Sequence, residues 1–278
     1  MGKSIIQNKT RTLVQYSSVS LDNNAQAQSS LVIPTLADVI GIDWDLTVNA
    51  AGTLVGAKTV ENAIQRMVIS DRNGKPVMDV AGSDLPLLSL LLSPNGSYST
   101  PDTATQNTDK YYRDVLGITA VLANQPLSIQ ITFAPYSALA TSGATGAIVN
   151  LTINIWYGSN LGDATTRIYK RTMSVVSGDN FVGKNLVNGV NTHILAFKIG
   201  SESNLSSVTF SSNGDMDDFS RLLPQQIINL ENDIYRDKHQ TGIFKLFVEP
   251  FKVETQNTRL DFSSTGSDTV SVYQIANN

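Results

Sequence analysis

The chain has 278 residues, 41% hydrophobic and 16% charged, with a formal net charge of −4 and a pI near 5.1. Its apolar content excludes intrinsic disorder, and its acidic balance argues against a dedicated nucleic-acid binder, which would carry a basic stripe. The absence of cysteine excludes disulfides, thiolate nucleophiles and Cys-ligated metals.

At the N-terminus, Met1–Ile6 lacks the apolar core of a signal peptide and the position-six hydroxyl of a myristoylation pattern, so cytoplasmic synthesis is expected. Lys3, Lys9 and Arg11 form a basic arm over residues 1–11 that no acid interrupts. Such an arm suits anionic lipid or nucleic acid, and equally a solvated terminus. Strand patterns follow. Thr12–Tyr16, Asp43–Val48, Leu127–Phe133, Ile148–Tyr157 and Thr269–Ile275 alternate apolar with polar residues, placing one face of each strand on a core. Turn clusters separate them, such as Asp71–Gly74, Ser142–Gly146 and Ser211–Gly214. Two stretches read as helix. Asp84–Leu92 has Asp84 as N-cap and Pro86 in the tolerated first turn, and a second helix is expected from near Asp217 through Leu230. No run approaches the ~18–20 apolar residues of a membrane span. Mostly strands with two short helices predict an all-β sandwich class.

The order of features occurs twice. A strand, an Asn-Gly turn, a helix, Tyr-Arg-Asp, a strand ending in Pro-aromatic, a turn and a final strand run from Val68 to Tyr157 and again from Val208 to Tyr273. The tripeptides are Tyr112–Asp114 and Tyr235–Asp237, and the proline motifs are "ITFAPY" (Ile131–Tyr136) and "LFVEPF" (Leu246–Phe251). This predicts two tandem eight-stranded sandwiches, each with a short inserted helix, over 12–158 and 159–278, with the break in Gly158–Thr165.

Residues able to do chemistry are few. His193 lies in an apolar strand-like run and His239 in a polar turn, and no nucleophile elbow is present. Gly178–Asn185 has the spacing of a phosphate-binding loop, but Asn185 replaces the hydroxyl residue that such a loop needs for magnesium. Asp215, Asp217 and Asp218 form an acidic cluster that suits a weak calcium site; the plainer reading is a cap on the second helix. Asn95, Asn150 and Asn204 head glycosylation patterns, and are expected to be ordinary polar residues. No catalytic set is expected, and no cofactor other than calcium.

Two tandem β-sandwiches, a helix late in each, a short polar arm, no catalytic set and the closing "RLDFSSTGSDTVSVYQIANN" resemble the double jelly-roll major capsid proteins. Those proteins belong to tailless icosahedral viruses with an internal membrane, the lineage joining tectiviruses, corticoviruses and adenoviruses. The resemblance implies a virion protein made in a host cytoplasm, not an enzyme. It implies a homotrimer in which six jelly rolls form a pseudo-hexagonal capsomer. The partners implied are neighbouring capsomers, penton proteins and, through the arm bearing Lys3, Lys9 and Arg11, the internal membrane; no sequence-specific nucleic acid is implied. The rival reading is a two-domain β-sandwich lectin, adhesin or viral spike binding a surface glycan. Trp44 and Trp156 lie on alternating strands, however, and suit a core better than sugar stacking. A cupin-like enzyme would need a cluster of histidines and acids that two isolated histidines do not supply.

Overall fold

A computed structural model describes residues 10–15, 19–21, 28–33, 38–50, 64–71, 73–92, 111–118, 127–138, 147–158, 166–181, 186, 192–211, 221–235, 239, 241–246, 251–252 and 259–277. The chain divides into two compact units, Met1–Thr166 and Arg167–Asn278.

In the first unit, strands β1 (Thr10–Gln15), β2 (Val19–Leu21), β3 (Gln28–Ile33), β4 (Asp38–Ala50), β5 (Ile64–Ser70) and β6 (Pro76–Val80) precede helix α1 (Leu85–Leu92). Strands β7 (Tyr111–Ile118), β8 (Leu127–Phe133) and β9 (Ala147–Gly158) follow it. One sheet runs β1–β9–β4–β7, with β2 continuing β1 along β9, and the other runs β3–β8–β5–β6. All the registered pairs are antiparallel. Burial follows the period-two pattern that the sequence shows: in β8, Ile129, Ile131 and Phe133 are buried while Gln130 is exposed. In β5 a register shift between Ile64 and Arg66 places Gln65 and Arg66 together on the solvent side before Met67 and Ile69 turn inward. Leu85, Leu87, Leu88 and Leu91 of α1 are buried, and α1 lies against β7. Asp84 does not act as a simple N-cap. It ends a 3-10 turn (Gly82–Asp84), and its carboxylate accepts the Ala81 N–H at 3.1 Å, one half of a capping box.

The second unit repeats this plan with β10 (Thr166–Val175), β11 (Gly178–Phe181), β12 (Thr192–Ile199), β13 (Leu205–Ser211), helix α2 (Pro224–Tyr235), β14 (Ile243–Lys245), β15 (Phe251–Lys252), β16 (Arg259–Ser264) and β17 (Asp268–Asn277). Its sheets run β10–β17–β12–β14, with β15 continuing β14 along β12, and β11–β16–β13. The place that β6 holds in the first unit is reduced here to a single bridge, Leu222 to Val208. Counted by position, both units put the first, eighth, third and sixth strands in one sheet and the second, seventh and fourth in the other. Both insert their helix just before the sixth strand. This is the connectivity of a jelly roll, written twice, and it agrees with the expected fold class.

The core of the second unit draws on both sheets and the helix. Phe197 of β12 stacks on its cross-strand neighbour Phe244 at 4.8 Å and meets Phe262 of β16 edge-on at 5.0 Å, joining one sheet to the other. Val208, Phe210, Leu260, Val270, Val272 and Ile227 of α2 belong to the same cluster.

Three further expectations differ from the structure. The second helix begins at Pro224 rather than near Asp217. Residues 221–223 are extended by the Leu222 bridge, and Gln226 returns its Oε1 to the Leu223 N–H at 2.8 Å, which fixes the start. The Tyr-Arg-Asp tripeptides are not equivalent, since Tyr112–Asp114 sits inside β7 whereas Tyr235 ends α2. The proline motifs also differ by one strand position. "ITFAPY" closes the seventh strand, β8, whereas Leu246 follows β14 and Phe251 opens β15, which share the sixth position along β12; residues 247–250 lie outside the described residues.

Candidate functional site: a polar end of the second unit

The residues singled out in the sequence do not converge. Lys3, Lys9, Asp215, Asp217 and Asp218 lie outside the described residues. Arg11 is on β1, paired with Trp156 of β9, so regular structure begins before the expected arm ends. Gly178–Phe181 is a strand paired with β16, not the start of a phosphate loop; residues 182–185 lie outside the described residues. Asn180 spends its side chain on the turn before it: Oδ1 accepts the Val176 N–H at 2.9 Å, and Nδ2 donates to the Val176 carbonyl at 2.8 Å. Asn150 is mid-strand in β9, while Asn95 lies outside the described residues. His193 is on β12, opposite Ile275 and Lys252.

Polar side chains do gather at one end of the second unit. Because β12 pairs antiparallel with β14 and β17, and β13 with β16, three connections arrive there together: the β12–β13 turn, the segment entering β14, and the β16–β17 turn. Asp268 joins two of them. Its carboxylate accepts the N–H groups of Ser201 at 2.8 Å and Thr269 at 2.7 Å, and the Asn204 amide at 3.0 Å. Burial opposes ionisation of Asp268, but these donors outweigh it and hold its pKa below the usual carboxylate value. Gly200 passes so close that an added Cβ would lie 2.3 Å from Asp268 Oδ1. The Thr265 N–H donates to the Asn204 carbonyl at 2.8 Å, and the Ser264 hydroxyl does so at 3.0 Å.

Beside this network His239 is held between two carboxylates. Its Nδ1 is 2.8 Å from Glu231 Oε2 and its Nε2 is 2.9 Å from Glu202 Oε2. The imidazole is only 15% exposed and the Glu231 side chain 1%, so the polar turn of the sequence reading is an enclosed site. Each carboxylate also grips backbone: Glu202 accepts the Gly242 N–H at 2.7 Å, and Glu231 accepts the Lys245 N–H. Burial pushes the His239 pKa down, but hydrogen bonds and charge from Glu231 and Glu202 outweigh it and raise the value above the ordinary 6.5. Burial likewise pushes Glu202 up, yet the Gly242 N–H and His239 prevail and lower it. Both ring nitrogens face carboxylates, which leaves neither for a substrate, so the trio is a fastening rather than a catalytic dyad. Among the described residues, no group of three or more acidic or histidine side chains is arranged to hold a metal. Glu231 and His239 are eight residues apart but Glu202 lies 37 before His239, and no helical or strand period links the three.

No protein-family model matches the chain, and no curated protein matches it in sequence. Solved structures do match over nearly the whole length. In Sulfolobus Turreted Icosahedral Virus, the atomic structure superimposes with a TM-score of 0.71 at 12% identity, covering 97% of this chain and 90% of that one. The major capsid protein P2 of bacteriophage PM2 gives 0.60 at 13% identity, covering 97% and 98%. A chain of the PBCV-1 virus capsid gives 0.66 at 10%, covering 98% and 94%. The fold is that of the double jelly-roll major capsid proteins. The polar end described above therefore closes one jelly roll of a double jelly-roll chain, at the turns joining its third to its fourth strand and its seventh to its eighth.

Proposed function

We propose that this chain is the major capsid protein of an icosahedral virus, a structural and non-enzymatic subunit that associates with its own copies to build the shell of the virion. The observation that carries the reading is the shared connectivity of the two units over a span that capsid chains match almost end to end. Two similar jelly rolls in one polypeptide let a homotrimer present six similar modules, so one gene product can tile a lattice with near-sixfold contacts. We propose in addition that these trimers form pseudo-hexagonal capsomers around an internal membrane, with penton proteins at the vertices and Lys3 and Lys9 directed to anionic lipid. A low fraction of charged residues limits repulsion between closely packed copies.

The test is native mass measurement and electron microscopy of the purified full-length chain. The expected result is a trimer at three times 30.0 kDa with a hexagonal outline, assembling into sheets or shells as concentration rises. A chain that stays monomeric at every concentration and binds an arrayed glycan would overturn the proposal in favour of a lectin.

A further inference from the structure

Glu202, His239 and Glu231 come from three connected places: the β12–β13 turn, the segment between α2 and β14, and α2 itself. Through Gly242 and Lys245 the two carboxylates also hold both ends of β14. Proton count decides whether this arrangement holds. A carboxylate oxygen only accepts, and a neutral imidazole carries one N–H and one lone pair. The neutral ring therefore satisfies one carboxylate and turns its lone pair on the other at under 3 Å. The imidazolium donates to both. The surrounding charge reinforces that state. Glu231 faces the ring from α2 and Glu202 from the turn, while the neighbour from β14 is the uncharged Phe244 ring at 5.3 Å. Lys245 meets Glu231 through its backbone N–H, Lys198 is on β12 opposite Ile243, and Asp268 is engaged by Ser201, Thr269 and Asn204.

We propose that Glu202–His239–Glu231 is a proton-operated latch, closed while the imidazole carries both N–H groups and released on alkalinisation, which frees the β12–β13 turn from α2 and from the start of β14. The aromatic core of Phe197, Phe244 and Phe262 takes no part in the titration, so release loosens this end of the unit and leaves the sandwich folded. The direction follows from the raised pKa of His239. Its contribution is complete below the unfolded value near 6.5 and is lost as pH rises through the higher folded value. Each pKa unit between the two corresponds to about a tenfold change in the latch equilibrium.

The test uses the full chain, whose two histidines make NMR assignment direct with a His239→Gln variant. His239 is expected to titrate above 6.5, with both ring nitrogens protonated in the closed state. The amides of Gly242 and Lys245, corrected for intrinsic exchange, are expected to lose about tenfold of their protection for each unit by which the closed-state pKa exceeds 6.5. Amides within the β12–β17 pairing are expected to keep theirs. In His239→Gln the Gly242 and Lys245 amides should exchange fast at every pH. Should that variant fail to fold, Glu202→Gln is expected to lower the His239 pKa and flatten the pH response of Gly242. A His239 that titrates at or below 6.5, a ring that is neutral at pH 6, or an equal pH response in wild type and variants would overturn the proposal.

Discussion

Replacing Gly242 with alanine tests whether the polar end is held by backbone geometry. Gly242 has φ of +78°, and a Cβ there would lie 2.7 Å from the Ile199 carbonyl oxygen, a backbone atom that cannot swing aside. The left-handed conformation alone costs an alanine roughly 1–2 kcal/mol. Relieving the clash must also move Gly242 away from partners on both sides: its carbonyl accepts the Ile199 N–H at 2.8 Å, and its own N–H reaches Glu202 at 2.7 Å. Losing one or both adds about 0.5–1.5 kcal/mol each, so a total loss of roughly 1.5–5 kcal/mol is expected. Gly74 provides the control, with φ of +76° and nothing within 4 Å of an added Cβ, so Gly74→Ala should show the conformational cost alone, roughly 1–2 kcal/mol. Urea unfolding can separate the units, because both tryptophans, Trp44 and Trp156, lie within Met1–Thr166 and report the first, while amide exchange reports the second. Equal losses for the two variants would show that the close approach to Ile199 carries no energetic weight, and the reasoning would fail.

Other substitutions separate strong from weak interactions. Phe262→Ala removes a fully buried ring that touches Phe197 across the sheets, and should cost the second unit about 3–5 kcal/mol in urea unfolding. Asp79→Asn breaks the Arg66–Asp79 pair, whose oxygen and nitrogen lie 2.6 Å apart with side chains 61% and 40% exposed; a loss under about 1 kcal/mol that fades in salt is expected. On the acid side, Asp79, Glu202 and Asp268 all have lowered pKa values. Their stabilisation is present above the unfolded values near 4 and lost as pH falls through the folded ones, so a pH series of melting temperatures should decline there, less steeply in Asp268→Asn.

Much of the frame is legible in the sequence because burial on one face imposes a period of two. "LSIQITF" becomes β8 with the expected bounds, and Ile148–Tyr157 and Thr269–Ile275 fall inside β9 and β17. Boundaries set by single contacts were less visible. An acidic run reads as a helix start, yet Pro224 and Gln226 place that start later, since the backbone just before them is occupied by the bridge to Val208. Similar motifs can serve different strands, as the two proline hexapeptides show, because an alternating run reports which face is buried and not which neighbour pairs with it. The Glu202–His239–Glu231 trio was illegible for the same reason. Glu231 sits on α2 with His239 eight residues later, and Glu202 reaches them only because the pairing of β12 with β14 brings the β12–β13 turn beside the segment entering β14.

The two units show how little of a jelly roll depends on particular residues. Described core positions of the first are mostly Ile, Met, Val and Leu with Phe133, whereas the second adds Phe197, Phe210, Phe244, Phe262 and Tyr273 to its Ile, Leu and Val. The same connectivity results, as it does in capsid chains only 10–13% identical. Alternation and turn placement specify the frame, and the core is then filled in more than one way. What is particular to this chain must therefore be sought where the units differ. Both histidines belong to the second, so the first can carry no imidazole latch of its own. A shell built from such chains would have one module with an imidazole latch and one without in every subunit. Alkaline loosening would then touch half of the jelly rolls and spare the rest, a division that exchange measured unit by unit on assembled particles would reveal.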